Sequence, residues 1–435
     1  MTRTPSITRL ALVALLAILL ALAGAAAGCG SDDSTSDSAS ASTEPIILGA
    51  PVALSGFFAG DGKNSLQGIE MGVKDINAAG GLLGRQVEIE TFDIQDLAPE
   101  RLMLASSTLV QQKKADVIVG GYVGNGTEAL AFGKYPTPFF HDSGNDVWVE
   151  EAKKNGFTNI WHTCNLNSDL VPANINYLDA LPYTYPNKKV VLLFGQDPLS
   201  DAMRAQAAAI YKEKGWDIVL NRPVPYGTTD YGPYLTTIKA EDPALILFWV
   251  YSPTDQITFF KQFLKDPTNS IVDMDGANGT KEFLDLGGKM IDGITGVANL
   301  AQQLGLPPNT QDYQDWYDRF TKEEGNPPAG LSGMTYASVM IWAEAVKAVG
   351  DPTKYDEINA WLATSEVTLF DGIPPYHFNE NHYWSLDELP MGWGQIQNGG
   401  QNTTLFMGTT NDPTAQAYTD LAGNAPQFVT PSWIK

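Results

Sequence analysis

The chain is poor in cysteine, histidine and positive charge. Its 435 residues hold two cysteines, Cys29 and Cys164, four histidines, and 27 Lys plus Arg against 50 Asp plus Glu. So few cysteines exclude a disulfide-built scaffold, and any folded body must hold by packing. A formal net charge of −23 lacks the basic footprint that nucleic acid needs and disfavours anionic headgroups, so no nucleic-acid partner is expected. There is no G-x-S-x-G elbow and no H-E-x-x-H pair. Gly60-Asp61-Gly62-Lys63-Asn64 has neither the spacing of a phosphate-binding loop nor a Ser or Thr after its lysine. His377 and His382 stand in an irregular aromatic stretch with no thiolate nearby, so neither a metal nor a cofactor is expected. Nothing pairs a nucleophile with a base, so the chain does not read as an enzyme; an exported hydrolase is the reading these absences disfavour.

What is present starts at the N-terminus. Arg3 and Arg9 precede an apolar run from Leu10 to about Ala27, the charged and apolar regions of a secretory signal. The run ends in Ala26-Ala27-Gly28-Cys29, which resembles a bacterial lipobox, with Ala26 where leucine is usual. The resemblance implies a signal peptide over residues 1–28, diacylglycerol on Cys29, and an extracytoplasmic protein anchored to the membrane by lipid. An ordinary cut at a nearby A-x-A-like site is the alternative. Residues 29–45 are small, polar and acidic and read as a disordered leash. No later run is long enough for a membrane helix. With Cys29 lipidated, Cys164 has no partner and reads as a small buried hydrophobe. The remaining length, about 400 residues, calls for two domains.

From Ile46 strand-like and helix-like segments alternate. Ile46–Ala50, Val87–Phe92, Asp116–Gly121 and Thr137–Phe140 read as strands. A helix with Leu66, Ile69, Val73 and Ile76 on one face ends at Gly80-Gly81, and another runs from Pro99 to Gln112. The rhythm restarts with strands at Lys189–Phe194, Trp216–Leu220, Pro243–Trp249 and Ser270–Met274. Late helices are expected at about Thr310–Glu323 and Thr335–Ala348. The fold class is therefore α/β, with two doubly wound parallel-sheet lobes.

The stretch Leu66-Gln67-Gly68-Ile69-Glu70-Met71-Gly72-Val73-Lys74-Asp75-Ile76-Asn77-Ala78-Ala79-Gly80-Gly81-Leu82-Leu83-Gly84-Arg85 resembles the G-x-x-x-A-x-x-x-I-N-x-x-G-G-h-x-G-+ segment of the leucine/isoleucine/valine-binding family of ABC-transporter solute receptors. Gly68 and Gly72 would allow close helix–sheet approach. The likeness continues through Ile160–Asn165, Trp249–Pro253, Asp275-Gly276 and Met334–Ala337, over roughly Ile46 to Gly408. It implies a type I periplasmic binding protein whose chain crosses between lobes three times, near Asn165, Ala298 and Leu369. Lobe 1 would be residues 46–165 plus 298–369, and lobe 2 residues 166–297 plus 370–435. Its partners would be a small-molecule solute, most simply an aliphatic or branched-chain amino acid, and an ABC permease and ATPase complex. A sensor for an amide, a urea or an aromatic acid is the alternative.

The same resemblance points to ligand-binding residues. Gly124, Asn125 and Thr127 lie in a loop whose free N–H groups suit a solute carboxylate, although hydroxyl side chains are usual where Gly124–Gly126 stand. An ordinary strand-to-helix turn would look the same. Gly144 and Asn145 lie in the loop at the end of the fourth strand, with His141, which reads as structural. Phe58 stands where an aromatic wall is usual. Tyr251 and Asp275 match the positions that hold the solute's ammonium, and a turn aspartate before Gly276 is the plain alternative. Leu199 replaces a tyrosine common among relatives.

Overall fold

The structure, a computed structural model, describes residues 44–56, 58–95, 98–120, 126–275, 281–297, 310–371, 375–384, 391–408, 416–417, 419 and 423–435. The signal, the leash with Cys29, the crossing at Ala298, and Gly124 and Asn125 lie outside the described residues.

Apolar runs that need cover on both faces form the first sheet: β1 (Ile46–Val52), β2 (Val87–Asp93), β3 (Val117–Val119), β4 (Phe139–His141) and β5 (Ile160–His162). All pair in parallel, in the order β2-β1-β3-β4-β5. Between them run α1 (Ala59–Ala78), α2 (Pro99–Ser106), α3 (Thr127–Phe132) and α4 (Val147–Asn155). The periodic face of α1 buries Ile69, Val73 and Ile76, and the helix stops where Gly81 N–H bonds Ile76 O at 3.0 Å. The expected helix to Gln112 leaves α geometry at Ser107, where a π-helical turn replaces it.

The second lobe repeats the plan with α5 (Asn167–Ala180), β6 (Lys189–Gly195), α6 (Pro198–Glu213), β7 (Asp217–Val224), α7 (Gly232–Glu241), β8 (Leu245–Trp249), α8 (Pro253–Phe263), β9 (Ile271–Asp273), α9 (Lys281–Gly287) and β10 (Thr295–Val297). Two helix starts show their cause: Asp197 caps α6 and Ser252 caps α8, each followed by a proline in the first turn. The strand order β7-β6-β8-β9-β10 is again parallel and doubly wound. Then α10 (Gln311–Glu324), α11 (Gly330–Val349) and α12 (Tyr355–Leu362) pack into the core of the first lobe. The second sheet is not wholly parallel, because β11 (Met391–Gln397), β12 (Gln401–Gly408) and β13 (Gln416–Ala417) extend it in antiparallel fashion from β10. The two lobes are thus α/β, joined by three passages of the chain.

Two expectations need correction. The third passage does not lie near Leu369. Phe370, Tyr376, Phe378 and Trp384 all fill the core of the first lobe, and His162 N–H donates to His382 O at 2.8 Å. The segment after Leu369 is aromatic but without period, so its allegiance could not be read from pattern; the chain changes lobe between Trp384 and Met391. The glycines of α1, in turn, serve helix–helix rather than helix–sheet contact. A Cβ on Gly68 would lie 2.0 Å from Ser332 O of α11, and one on Gly72 would lie 2.9 Å from the Val339 side chain.

The C-terminal segment also belongs to the second lobe. Trp433 packs edge-on against Phe260 and Phe263 of α8, and its Nε1 donates to Ser270 O at 2.9 Å.

Candidate functional site

In a doubly wound sheet the connections at the carboxyl ends of the strands diverge at the point where strand order reverses, leaving a crevice. In the first lobe that point lies between β1 and β3, and in the second between β6 and β8. The polar residues of interest gather at these ends.

His141 ends β4, and Asp142, Ser143, Gly144 and Asn145 follow it. His141 is fully buried, its ring tilted at 32° against that of Trp148 of α4 with centroids 3.2 Å apart. Burial, reinforced by neighbouring His162, holds its pKa well below the usual value, so it is neutral. Burial pushes His162 down to about 4. Asp142 is also buried; Ser65 of α1 donates its hydroxyl to Oδ2 at 2.9 Å. Gly144 accepts from Asn167 N–H at 2.8 Å, which ties this loop to the start of α5 and the first passage. A Cβ there would stand 2.9 Å from Asn165 O, so the close approach requires glycine. Asn145 uses Oδ1 to accept from Val147 N–H at 3.1 Å, opening α4. Cys164, just beyond β5, is buried beside Leu331 and Met334, and burial raises its thiol pKa.

Thr127 is the first residue of α3, entered through Gly126 in the left-handed region at φ +88°. That helix has six residues, so its dipole is slight and its amides matter more. Phe58 is partly buried against the cluster containing Ile94, Leu102, Phe132 and Trp148.

In the second lobe, Tyr251 and Asp275 follow β8 and β9. Tyr251 donates its hydroxyl to Asp275 Oδ2 at 3.3 Å and lies 3.5 Å from Met203 Sδ. Asp275 is buried, and its carbonyl accepts from Gln256 Nε2 at 2.8 Å. The structure thus brings Tyr251 to Asp275, and sets Gly144 and Asn145 in one loop of the opposite lobe.

Sequence reading missed a set of carboxyls in the first lobe. Glu128, in the first turn of α3, is fully buried, and neither carboxyl oxygen has a hydrogen-bond partner. Burial, with a further push from Asp142, raises it to about 8. Asp142 is raised to about 7 by burial and by Asp61, against the lowering bond from Ser65. Asp61, in the first turn of α1, is raised to about 6 by burial and by Glu282 of α9. That last pairing places α1 of one lobe opposite α9 of the other. Each of these acids is unremarkable in sequence; only the folded topology collects them.

The sequence pattern of the family described as periplasmic binding protein matches residues 45–385. The chain belongs to the periplasmic binding protein family. It is similar to an amino acid binding protein of Pseudomonas aeruginosa, at 23% identity over 340 residues that cover 75% of this chain and 84% of that one. Among solved structures it is similar to the branched-chain amino acid transporter substrate binding protein LivJ of Streptococcus pneumoniae in complex with isoleucine. That match has a TM-score of 0.69 and 20% identity, covering 84% of this chain and 99% of LivJ. It is also similar to an ABC transporter solute binding protein of R. palustris in complex with benzoate, with a TM-score of 0.66 and 19% identity, covering 84% of this chain and 96% of that one. This periplasmic binding protein is an extracytoplasmic binder of small solutes, not an enzyme. No described helix is long and apolar enough to cross a membrane.

Proposed function

We propose that this periplasmic binding protein is the lipid-anchored receptor of an ABC importer and takes an amino acid into the crevice between its lobes. The observation that carries the reading is the Tyr251–Asp275 pair. A buried carboxylate met by a phenol at the ends of two adjacent strands suits an ammonium, which needs a charged acceptor once removed from water. The solute carboxylate would meet backbone N–H groups of the loop holding Gly124, Asn125 and Thr127. Gly144 and Asn145 would close the same side, and Phe58 would face the solute's apolar part. The names of an amino acid binding protein and of LivJ with isoleucine agree with this class. The benzoate complex keeps an aromatic acid as the second reading.

The N-terminal Ala26-Ala27-Gly28-Cys29 supports the anchor. Such a tether would hold a solute receptor beside its permease. Cys29→Ser should move the protein from the membrane to the soluble fraction and abolish labelling by radioactive palmitate. Persistence of the label would refute the anchor.

Calorimetry against aliphatic and basic amino acids, small amides, urea and benzoate tests the solute. An amino acid should bind, and Asp275→Ala should weaken it by roughly 10- to 150-fold, the worth of a hydrogen bond to a charged group. Binding of benzoate alone, or full affinity in Asp275→Ala, would overturn the reading.

A further inference from the structure

Native proteins leave few buried polar atoms without partners, and an exception beside a ligand crevice asks what the ligand supplies. In the first lobe five such atoms stand on neighbouring elements. Both oxygens of Glu128, Oδ1 of Asp142, Nε2 of His141 and Nε1 of Trp148 are buried without a hydrogen-bond partner. They come from α3, from the end of β4 and from α4, the elements that follow β3 and β4 at the crevice edge of the sheet. Glu128 is 0% and Asp142 3% exposed. Among the described residues no lysine or arginine forms an ion pair with Glu128, Asp142 or Asp61.

We propose that the solute is dibasic, and that Glu128 and Asp142 receive a second cationic nitrogen, an ammonium or amidinium, inside the first lobe. The inference rests on the reading above in placing the solute's α-ammonium at Asp275. It deepens that reading by giving the side chain an aliphatic stem with a charged end, as in lysine, ornithine or arginine. The three oxygens open on Glu128 and Asp142 match the several N–H donors such a group carries. Ser65 fixes Asp142 by taking up its other oxygen, leaving Oδ1 for the solute.

The arrangement makes a proton-linkage test decisive. The titratable groups around the pair are Asp61 of α1, His141 and His162 at the ends of β4 and β5, the Cys164 thiol, Asp146 beside α4, and Glu282 across the crevice. The histidines stay neutral above pH 7, because burial lowers both. Without solute the two carboxyls hold protons near neutrality, with values of about 8 and about 7. A cation must displace those protons. Calorimetry of the full chain with lysine, ornithine, arginine and cadaverine, in buffers of different ionisation enthalpy, should show proton release at pH 7. Affinity should rise with pH from 6 to 8, by up to about tenfold per unit for each carboxyl that ionises. Glu128→Gln and Asp142→Asn should each weaken the basic solute by roughly 10- to 150-fold and lessen the proton release. The proton count on the unsubstituted protein stands even if a variant fails to fold.

Tight binding of leucine or isoleucine with none of lysine, ornithine, arginine or cadaverine would overturn this inference and leave the amino-acid reading intact. Binding of cadaverine without any amino acid would support the cationic site and overturn the amino-acid reading. A basic solute bound with proton uptake, or with no net proton change, would show that the carboxyls act as neutral donors and would overturn the inference.

Discussion

Replacing Gly68 by alanine tests the seam that joins the first and last parts of the first lobe. In free helices the change stabilises by about 1 kcal/mol, since glycine is the poorer helix former. Here the added Cβ would lie 2.0 Å from Ser332 O and 2.3 Å from Thr335 Oγ1 of α11. A relaxed carbon–oxygen contact is about 3.3 Å, so α1 and α11 would have to part by roughly 1.3 Å at this point. Two bonds cross the seam there: Ser332 Oγ donates to Asn64 O at 2.8 Å, and Thr335 Oγ1 donates to Ser65 O at 2.7 Å. Separation on that scale would stretch both beyond hydrogen-bond reach. Overpacking costs about 1–3 kcal/mol and each lost bond about 1 kcal/mol, against the 1 kcal/mol of helix propensity. The net expectation is a loss of about 2–4 kcal/mol. Gly60, in the first turn of the same helix, is the control, because a Cβ there meets nothing within 4 Å. Its alanine variant should be neutral or slightly more stable. Equilibrium urea unfolding followed by tryptophan fluorescence reads both. Equal midpoints for the two variants would refute the close-packing argument.

Two further outcomes follow from the second lobe. Asp273 is fully buried and accepts from Asn174 Nδ2, Trp249 Nε1 and Thr295 Oγ1 at 2.8–2.9 Å. Burial, with a smaller push from Asp275, nevertheless raises it to about 7. Its contribution to stability is complete below the unfolded value near 4 and is lost as pH rises through 7, because the unfolded chain binds fewer protons over that window; the slope is at most about 1.4 kcal/mol per unit. Melting temperatures at pH 5 and 7.5 should therefore fall more for the natural protein than for Asp273→Asn, and parallel falls would refute the assignment. Trp433→Ala should cost about 3–5 kcal/mol of stability, since it empties a buried aromatic site and orphans Ser270 O. A loss under about 1 kcal/mol, measured by urea unfolding, would show that the C-terminal segment merely rests on the lobe.

The regular parts of this fold announce themselves because period and burial coincide. Val190 to Phe194 is apolar without alternation, as a strand covered on both faces must be, and all five side chains are buried. The face of α1 is equally plain, since Ile69, Val73 and Ile76 recur at helical spacing. Legibility fails where neither period applies. The stretch holding Tyr376, Phe378 and Trp384 contributes core by isolated aromatic insertions, so its lobe could not be assigned from pattern. Gly68 was legible as a point of close approach, but its partner was not, because α11 lies more than 250 residues away and only the third dimension joins them.

The proposed site residues divide along the same line. Tyr251 and Asp275 were reached through the family resemblance, and each lies just beyond a recognisable strand, where a doubly wound sheet presents its loops to a ligand. Glu128 was not, because an acid in the first turn of a helix has a sufficient explanation in the helix's own unpaired N–H groups. In the structure that side chain turns inward beside Asp142 rather than outward to solvent, and both its oxygens are buried. Burial withholds the charge of both carboxyls in the free protein, with a smaller push from Asp142 on Glu128 and from Asp61 on Asp142. What marks Glu128 as a proposed binding group is its burial beside a second carboxyl, a property no residue spacing encodes.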